Sequence, residues 1–372
     1  MNMLVAKYTI EKEMKNIESD FQKSKKGENA KRKLPNNNTL KERISSKRIK
    51  SIEENGKEEK SEEGLMESKK SKDFEIKSSW IEDYKEICNE LPFKAPSMSF
   101  MEKKMKFPSA CLYHNWKKNR YPDILCNEKT RFLFQKQSNP NLVDQEKYIN
   151  ANRIEGIYDF NTNFIATQAP LESTFEEFYE MLWQEKTNLI ITLANLVEDG
   201  KIKMSQFWPS NQEKMDIANS FSIHLISESN PTDQICIRKL KVRNHGSNSE
   251  REIFQIHYTG WPDCGVPKNV SSLNEIYKYQ KLFEGEGKSL GLDGSPIVHC
   301  SAGIGRTATY MSFVFGVQRI DSLKKENNFS FEMIDVQSIV KKIRKQRNGS
   351  VQNSEQYLFI YRELNFYIQS SP

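Results

Sequence analysis

The chain has 372 residues, 28% of them charged and 37% apolar, and carries a formal net charge of +6. It holds no run of about 18 apolar residues and no hydrophobic stretch within Met1–Lys15, which argues against a membrane-spanning helix or a secretory leader, so a soluble, intracellular protein is expected. The six cysteines, at 88, 111, 126, 236, 264 and 300, form no CxxC pair or regular spacing, so a reducing compartment is expected, without disulfides or a zinc site.

Residues 1–79 contain no Trp, no Cys and only Tyr8, Phe21 and Phe74 as aromatics, too little to bury a core. They hold 20 Lys plus Arg against 15 Asp plus Glu, a net +5 of the chain's +6, and read as a basic, mostly disordered N-terminal tail. Two basic clusters within 31–50 suggest a bipartite nuclear signal or a phosphate-binding arm, with a solvated linker as the plain alternative. Residues 80–372 read as one mixed α/β domain without internal repeats. Periodicity predicts a helix over 173–186 and strands over 188–194, 220–228, 235–242 and 251–258. A short buried strand follows at 295–298, then helices over 307–323, 333–347 and 354–368. Consecutive strands followed by helices suit a twisted mixed β-sheet flanked by helices on both faces.

Between the strand at 295–298 and the helix from 307 lies His299-Cys300-Ser301-Ala302-Gly303-Ile304-Gly305-Arg306-Thr307. Gly303 and Gly305 let the backbone curl so that successive N–H groups point inward, and the helix adds its positive end. That is a cradle for a dianionic phosphate, held without a metal. Arg306 offers a planar fork to two phosphate oxygens. The same field favours a thiolate, bringing a cysteine from about 8.5 into the roughly 3.5–7.5 range and making Cys300 a nucleophile at neutral pH.

This run resembles the signature loop of the cysteine-dependent protein tyrosine phosphatases. Trp261-Pro262-Asp263, within His257–Pro267, is similar to that family's mobile acid loop, and Lys118–Ile124 to its phosphotyrosine recognition loop. Tyr148–Asn152 resembles a core segment, Thr167–Leu171 and Gln206–Pro209 two further stretches, and Gln352–Tyr357 the glutamine loop. The matches fall in family order from near Trp80 to near Gln369.

The resemblance implies hydrolysis of phosphotyrosine in proteins through a cysteinyl-phosphate, in the service of tyrosine-phosphorylation signalling, with no metal or other cofactor. Cys300 attacks and a phenolate leaves; an acid that protonates it accelerates the step by about 10²–10⁴-fold, and Asp263 is the candidate. Its loop, with Gly265 and Pro267 behind it, can swing as a unit and exclude water. Ser301, Ala302, Gly303, Ile304 and Gly305 would contact the phosphate. By resemblance Gln352 orients the hydrolytic water, Gln356 assists, and ionised Asp263 takes the water's proton. Thr307 would hydrogen-bond the sulfur, while His299 holds the loop and tunes the thiol. Tyr121 would stack on the substrate ring in a cleft too deep for phosphoserine. Asp123 would accept hydrogen bonds from the substrate backbone, and Lys203 would contact the acid loop. Arg344 and Arg347 lie where relatives bind a further negative substrate residue, a solvated basic face being the alternative. The signature loop is expected at a sheet edge facing the cleft.

Two positions depart from the family pattern. Cys264, beside the acid, either captures an oxidised Cys300 as a disulfide or fills space as a small residue. Trp116, just before the recognition loop, bears on substrate sequence preference. The partners expected are tyrosine-phosphorylated proteins, with acidic partners or import factors for the tail, and no nucleic-acid site. The location expected is cytoplasmic, or nuclear if the basic clusters act as a signal. A catalytically silent phosphotyrosine-binding module of the same fold is the alternative, but such modules lose the thiol, acid or arginine, and Cys300, Asp263 and Arg306 are all present.

Overall fold

The computed structural model describes residues 75–135, 147–158, 160, 162–210, 213–262, 265–327 and 329–370. The predicted tail lies outside the described residues except for its last few positions. The elements below belong to the compact unit Ile76–Pro372.

Eight strands form one sheet: β1 (Ala151–Ile154), β2 (Phe164–Thr167), β3 (Leu189–Thr192), β6 (Lys214–Ile217), β7 (Phe221–Thr232), β8 (Ile235–Asn244), β9 (Ser249–Tyr258) and β10 (Ile297–His299), in the order β1-β2-β10-β3-β9-β8-β7-β6. A separate hairpin pairs β4 (Val197–Glu198) with β5 (Lys201–Ile202). Its tip is Asp199-Gly200, both at positive φ, the dipeptide that favours a two-residue hairpin turn. The helices are α1 (Ser78–Glu90), α2 (Phe100–Lys106), α3 (Tyr113–Trp116), α4 (Phe175–Glu185), α5 (Ser272–Ser289), α6 (Arg306–Lys325), α7 (Val336–Gln346) and α8 (Ser354–Ser370).

Every predicted strand and helix is present to within a few residues. β1, β2, β4, β5, β6, α1, α2, α3 and α5 have no counterpart in the sequence reading. β1 and β2 are four residues each, and α5 carries Gly285 and Gly287, poor helix formers, in its last turns.

The apolar face of α4 packs Phe178 and Leu182 into a core cluster with Ile190, Ile223, Ile253 and Ile297 of the sheet. α6 is buried at every residue from Arg306 to Val317, as befits a helix enclosed on all sides. It meets β2 through the edge contact of Phe315 with Phe164. It meets α8 at Gly316, where an added Cβ would lie 2.8 Å from Leu364.

Four neighbouring strands, β2, β10, β3 and β9, run parallel, with Thr167 and Thr192 both level with His299, and His257 level with Thr192. The segments that leave their carboxyl ends therefore gather on one side of the sheet, the usual place for a site in such sheets. β10 is flanked on both sides. The signature loop therefore issues from an interior strand, not from a sheet edge as the resemblance implied, with the carboxyl ends of β2 and β3 on either side of it.

Candidate active site

The loop Cys300–Gly305 is shaped by what holds its carbonyls. Arg347 donates from Nε to Gly303 O at 2.6 Å and from Nη2 to Ala302 O at 3.2 Å, and the Val351 N–H donates to Ile304 O at 2.9 Å. In a trans peptide the carbonyl and the following N–H point oppositely, so these outward bonds turn the amides of Gly303, Ile304 and Gly305 inward. The Gly303 N–H indeed donates to Cys300 Sγ at 3.2 Å. Gly303 sits at φ +73, and an added Cβ would lie 2.0 Å from Thr167 O, so no other residue fits there. Cys300 itself is only 5% exposed, at the floor of the cradle.

Arg306 opens α6 with Gly305 before it. Its Nη1 and Nη2 donate to the two carboxylate oxygens of Glu198 at 2.6 and 2.7 Å, its Nη1 to Leu193 O and its Nη2 to Pro262 O, both at 3.1 Å. Glu198 is buried and also accepts from the Asn195 N–H at 2.9 Å. A bidentate buried pair fixes a guanidinium plane far more tightly than an exposed one. The Pro262 contact ties the acid loop to the same arginine. That loop is anchored by Trp261, which is buried against Phe359 and donates from Nε1 to Gly265 O at 3.2 Å. Asp263 and Cys264 lie outside the described residues.

The recognition loop closes one side. Tyr121 reaches Ser301 Oγ with its hydroxyl at 2.7 Å, and Ser301 Oγ donates on to Lys203 O at 2.7 Å. Arg120 donates from Nε to Ala169 O and from Nη2 to Pro170 O, and the Ala169 N–H donates to Ser301 O, so the Thr167–Leu171 segment bridges the two loops. Asp123 is taken by the buried ammonium of Lys103. On the other side Gln352 overhangs the cradle, since a Cβ on Gly305 would lie 2.4 Å from Gln352 Oε1. Gln356 accepts from the Gln352 N–H at 2.9 Å. Val351 is held at φ +57, its carbonyl accepting from Tyr84 of α1 at 3.0 Å.

His299 is fully buried between Thr192 Oγ1, 2.9 Å from Nε2, and Cys300 O, 3.2 Å from Nδ1. Burial holds its pKa down at about 3, so it is neutral and positions the loop. Thr307 is fully buried and its hydroxyl has no hydrogen-bond partner among the described residues, while Sγ accepts from the Gly303 amide. One expectation needs correction. Arg347 is 1% exposed and serves the loop carbonyls together with Asn150 and Asn152, so it is no surface contact for a substrate anion. Burial lowers its pKa to about 10, which leaves it cationic beneath Cys300. Arg344 is likewise buried, with Nη1 3.6 Å from Cys88 Sγ. Glu198, Tyr84 and the true part played by Arg347 were missed by sequence reasoning. The Asp-Gly turn that presents Glu198 was the one local signal available.

A thiol under converging amides at a helix N-terminus, with a pinned arginine beside it, defines a cysteine-based phosphatase. A family model described as protein-tyrosine phosphatase matches residues 115–365. Among curated proteins, tyrosine-protein phosphatase 3 of Dictyostelium discoideum is 36% identical over 261 residues, 70% of this chain and 26% of that protein. Receptor-type tyrosine-protein phosphatase zeta of Rattus norvegicus is 34% identical over 262 residues, 67% of this chain and 10% of that protein. The chain thus spans about a quarter or less of the length of these relatives. The catalytic domain of human protein tyrosine phosphatase non-receptor type 18 aligns with TM-score 0.64 and 27% identity, over 78% of this chain and 96% of that one. The chain belongs to the protein-tyrosine phosphatase family.

Proposed function

We propose that residues 80–372 hydrolyse phosphotyrosine in proteins through a phosphate ester of Cys300. Cys300 Sγ attacks phosphorus in line, the bond from phosphorus to the tyrosyl oxygen breaks, and Asp263 gives its proton to the leaving phenolate. Water then attacks phosphorus, the S–P bond breaks, Asp263 recovers a proton from the water, and phosphate departs. The observation that carries this reading is the set of amides turned onto Cys300 by Arg347 and Val351, which stabilises charge on sulfur and then on the equatorial oxygens. Arg306, its plane fixed by Glu198, brings its positive charge to those oxygens. The Arg306 contact with Pro262 supports Asp263 as the acid, since it holds the neighbouring residue against the phosphate clamp. Gln352 over Gly305, braced by Gln356, supports the role of orienting water. Tyr121 against Ser301 supports a wall for the aryl ring, and the ordered Lys203 backbone beside it supports a lysine at the acid loop. Cys300 at the floor selects a long aryl phosphate over the short side chains of phosphoserine and phosphothreonine.

The cysteine pattern supports a cytoplasmic signalling enzyme, and the two basic clusters in 31–50 support acidic partners or import factors as ligands of the tail. Among the described residues no helix is long and apolar enough to cross a membrane. The test is hydrolysis of matched phosphotyrosine and phosphoserine peptides by the full chain in chelator. Turnover confined to phosphotyrosine supports the reading; binding without turnover would leave a silent phosphotyrosine-binding module.

A further inference from the structure

The chain enters the acid loop through Tyr258, Thr259 and Gly260, and the tip of another hairpin holds all three. That tip joins β7 to β8 at Asp233-Gln234, with Thr232 level with Ile235 across it. Thr232 Oγ1 accepts from the N–H of Gln234 at 3.3 Å and from that of Ile235 at 3.0 Å, so the turn is braced by its own chain. Gln234 O accepts from Thr259 twice, from the backbone N–H at 2.8 Å and from Oγ1 at 3.2 Å. The Tyr258 hydroxyl lies 3.2 Å from Gln234 Oε1 and 2.9 Å from Ser272 Oγ at the start of α5. Gly260 makes the closest fit. A Cβ added there would stand 2.4 Å from Gln234 Oε1, 2.5 Å from Gln234 Cδ and 2.7 Å from the Tyr258 hydroxyl oxygen. Its φ lies outside the left-handed region, so the backbone does not call for glycine. What excludes a side chain at 260 is the Gln234 carboxamide, with the Tyr258 hydroxyl beside it.

Gln234 is an exposed residue, yet its backbone and its carboxamide are both engaged by the chain that runs into Trp261 and Pro262. Asn195 holds the same chain independently, donating from Nδ2 to Thr259 O at 3.1 Å. The Asn195 N–H donates to Glu198, which pins Arg306, and Arg306 donates in turn to Pro262 O. The five residues from Tyr258 to Pro262 are therefore fixed between the Gln234 turn and the arginine of the cradle. We propose that Gln234 is a positioning residue for the proton transfer: by filling the space over Gly260 it sets the course on which the chain enters the acid loop, and so the presentation of Asp263. It acts through the loop and not on the substrate. The inference rests on the reading of Asp263 as the acid. An error of about an ångström in the placing of a reacting group costs up to 10²-fold in rate, so a contact this far from phosphorus can still be felt in kcat.

The experiment uses the full chain and two aryl phosphates: phenyl phosphate, whose phenolate needs a proton to leave, and para-nitrophenyl phosphate, whose nitrophenolate leaves far more readily without one. Gln234→Ala lowers kcat on phenyl phosphate about five- to twentyfold, a part of the roughly 10²- to 10⁴-fold that a general acid supplies, and lowers it much less on para-nitrophenyl phosphate. KM stays at its wild-type value on both. Asp233→Ala, at the exposed neighbour in the same turn, leaves the ratio of the two kcat values unchanged. Gly260→Ala, which forces the Gln234 carboxamide aside, shows the same bias. Because the two residues share one space, Gly260→Ala combined with Gln234→Ala loses less than the product of the two single losses. A kcat ratio in Gln234→Ala equal to that of the wild type, whether both rates hold or both fall, overturns the proposal, as do losses that multiply in the double variant. The two readings fail separately. Missing para-nitrophenyl phosphate turnover in the wild type sinks the phosphatase, and an Asp263→Ala variant without leaving-group bias sinks the acid assignment. A bias in Asp263→Ala with none in Gln234→Ala sinks only the positioning role.

Discussion

Arg347 holds Gly303 from beneath, Nε to the carbonyl oxygen at 2.6 Å, and so decides which way the peptide between Gly303 and Ile304 faces. The cradle is thus set by a buried cation 44 residues further along the chain. Arg347→Lys keeps the charge but cannot bond Ala302, Gly303, Asn150 and Asn152 together, and losing part of a buried charged network costs about 3–5 kcal/mol when partners are stranded. The expected outcome is a lower melting temperature and a fall in kcat of about tenfold or more on para-nitrophenyl phosphate. Wild-type kcat in Arg347→Lys would show that the cradle forms without the arginine.

Glu198 pins Arg306, so Glu198→Gln loses one charge-assisted bond of the bidentate pair and loosens the fork. The expected loss in kcat/KM is about ten- to a hundredfold, as for a clamp no longer preorganised. Steady-state kinetics on a phosphotyrosine peptide decide it. Unchanged kcat/KM would mean that the phosphate alone orients Arg306.

Tyr121 contributes an aryl wall and a hydroxyl bond to Ser301. Tyr121→Phe keeps the wall and is expected to stay within a fewfold of wild type. Tyr121→Ala loses stacking worth roughly 0.5–1.5 kcal/mol beyond area burial, and raises KM for aryl phosphates. Equal KM values in the two variants would remove Tyr121 from substrate binding.

Acid sensitivity follows from the two histidines under the loops. Burial depresses His299 to about 3 and His257 to about 4, against 6.5 for either when free. Between those values the unfolded chain binds more protons than the folded one, so their contribution to stability is whole above pH 6.5 and is lost as pH falls towards 4 and 3. Glu363 has the opposite sign: burial raises it from 4.5 to about 8, so its contribution declines as pH rises through that window. Melting temperatures measured from pH 4 to pH 8 are expected to fall on the acid side in the wild type, less steeply in His257→Gln, and to fall less on the alkaline side in Glu363→Gln. A wild type whose melting temperature is flat below pH 6.5 would contradict neutral buried histidines.

The parts of the site legible in the sequence are those written in consecutive residues. The glycine-bearing turn from Cys300 to Arg306 carries its own geometry, and its strand and helix are marked by apolar runs on either side. Burial of Arg347 was not legible, because its helical position and basic neighbours read as a solvated face and its partners lie in the loop, in Asn150 and in Asn152. Glu198 was hidden for the same reason: its partner Arg306 is 108 residues away, and only the Asp-Gly hairpin hinted at its presentation. The surroundings of Thr307 were not legible either: its hydroxyl is buried without a partner among the described residues, and the donor to the sulfur is the Gly303 amide, a backbone group that no residue identity announces. α2 escaped because its apolar residues point outward, where periodicity alone assigns them inward.

The central claim is a phosphate bond to one thiol, and the most direct measurement is mass spectrometry of the full chain quenched in acid during turnover of a phosphotyrosine peptide. The account predicts phosphate on Cys300 in the wild type, its accumulation when Gln352→Ala slows the second step, and neither label nor turnover in Cys300→Ser. Turnover that persists in Cys300→Ser, or a label carried by another residue, would contradict it.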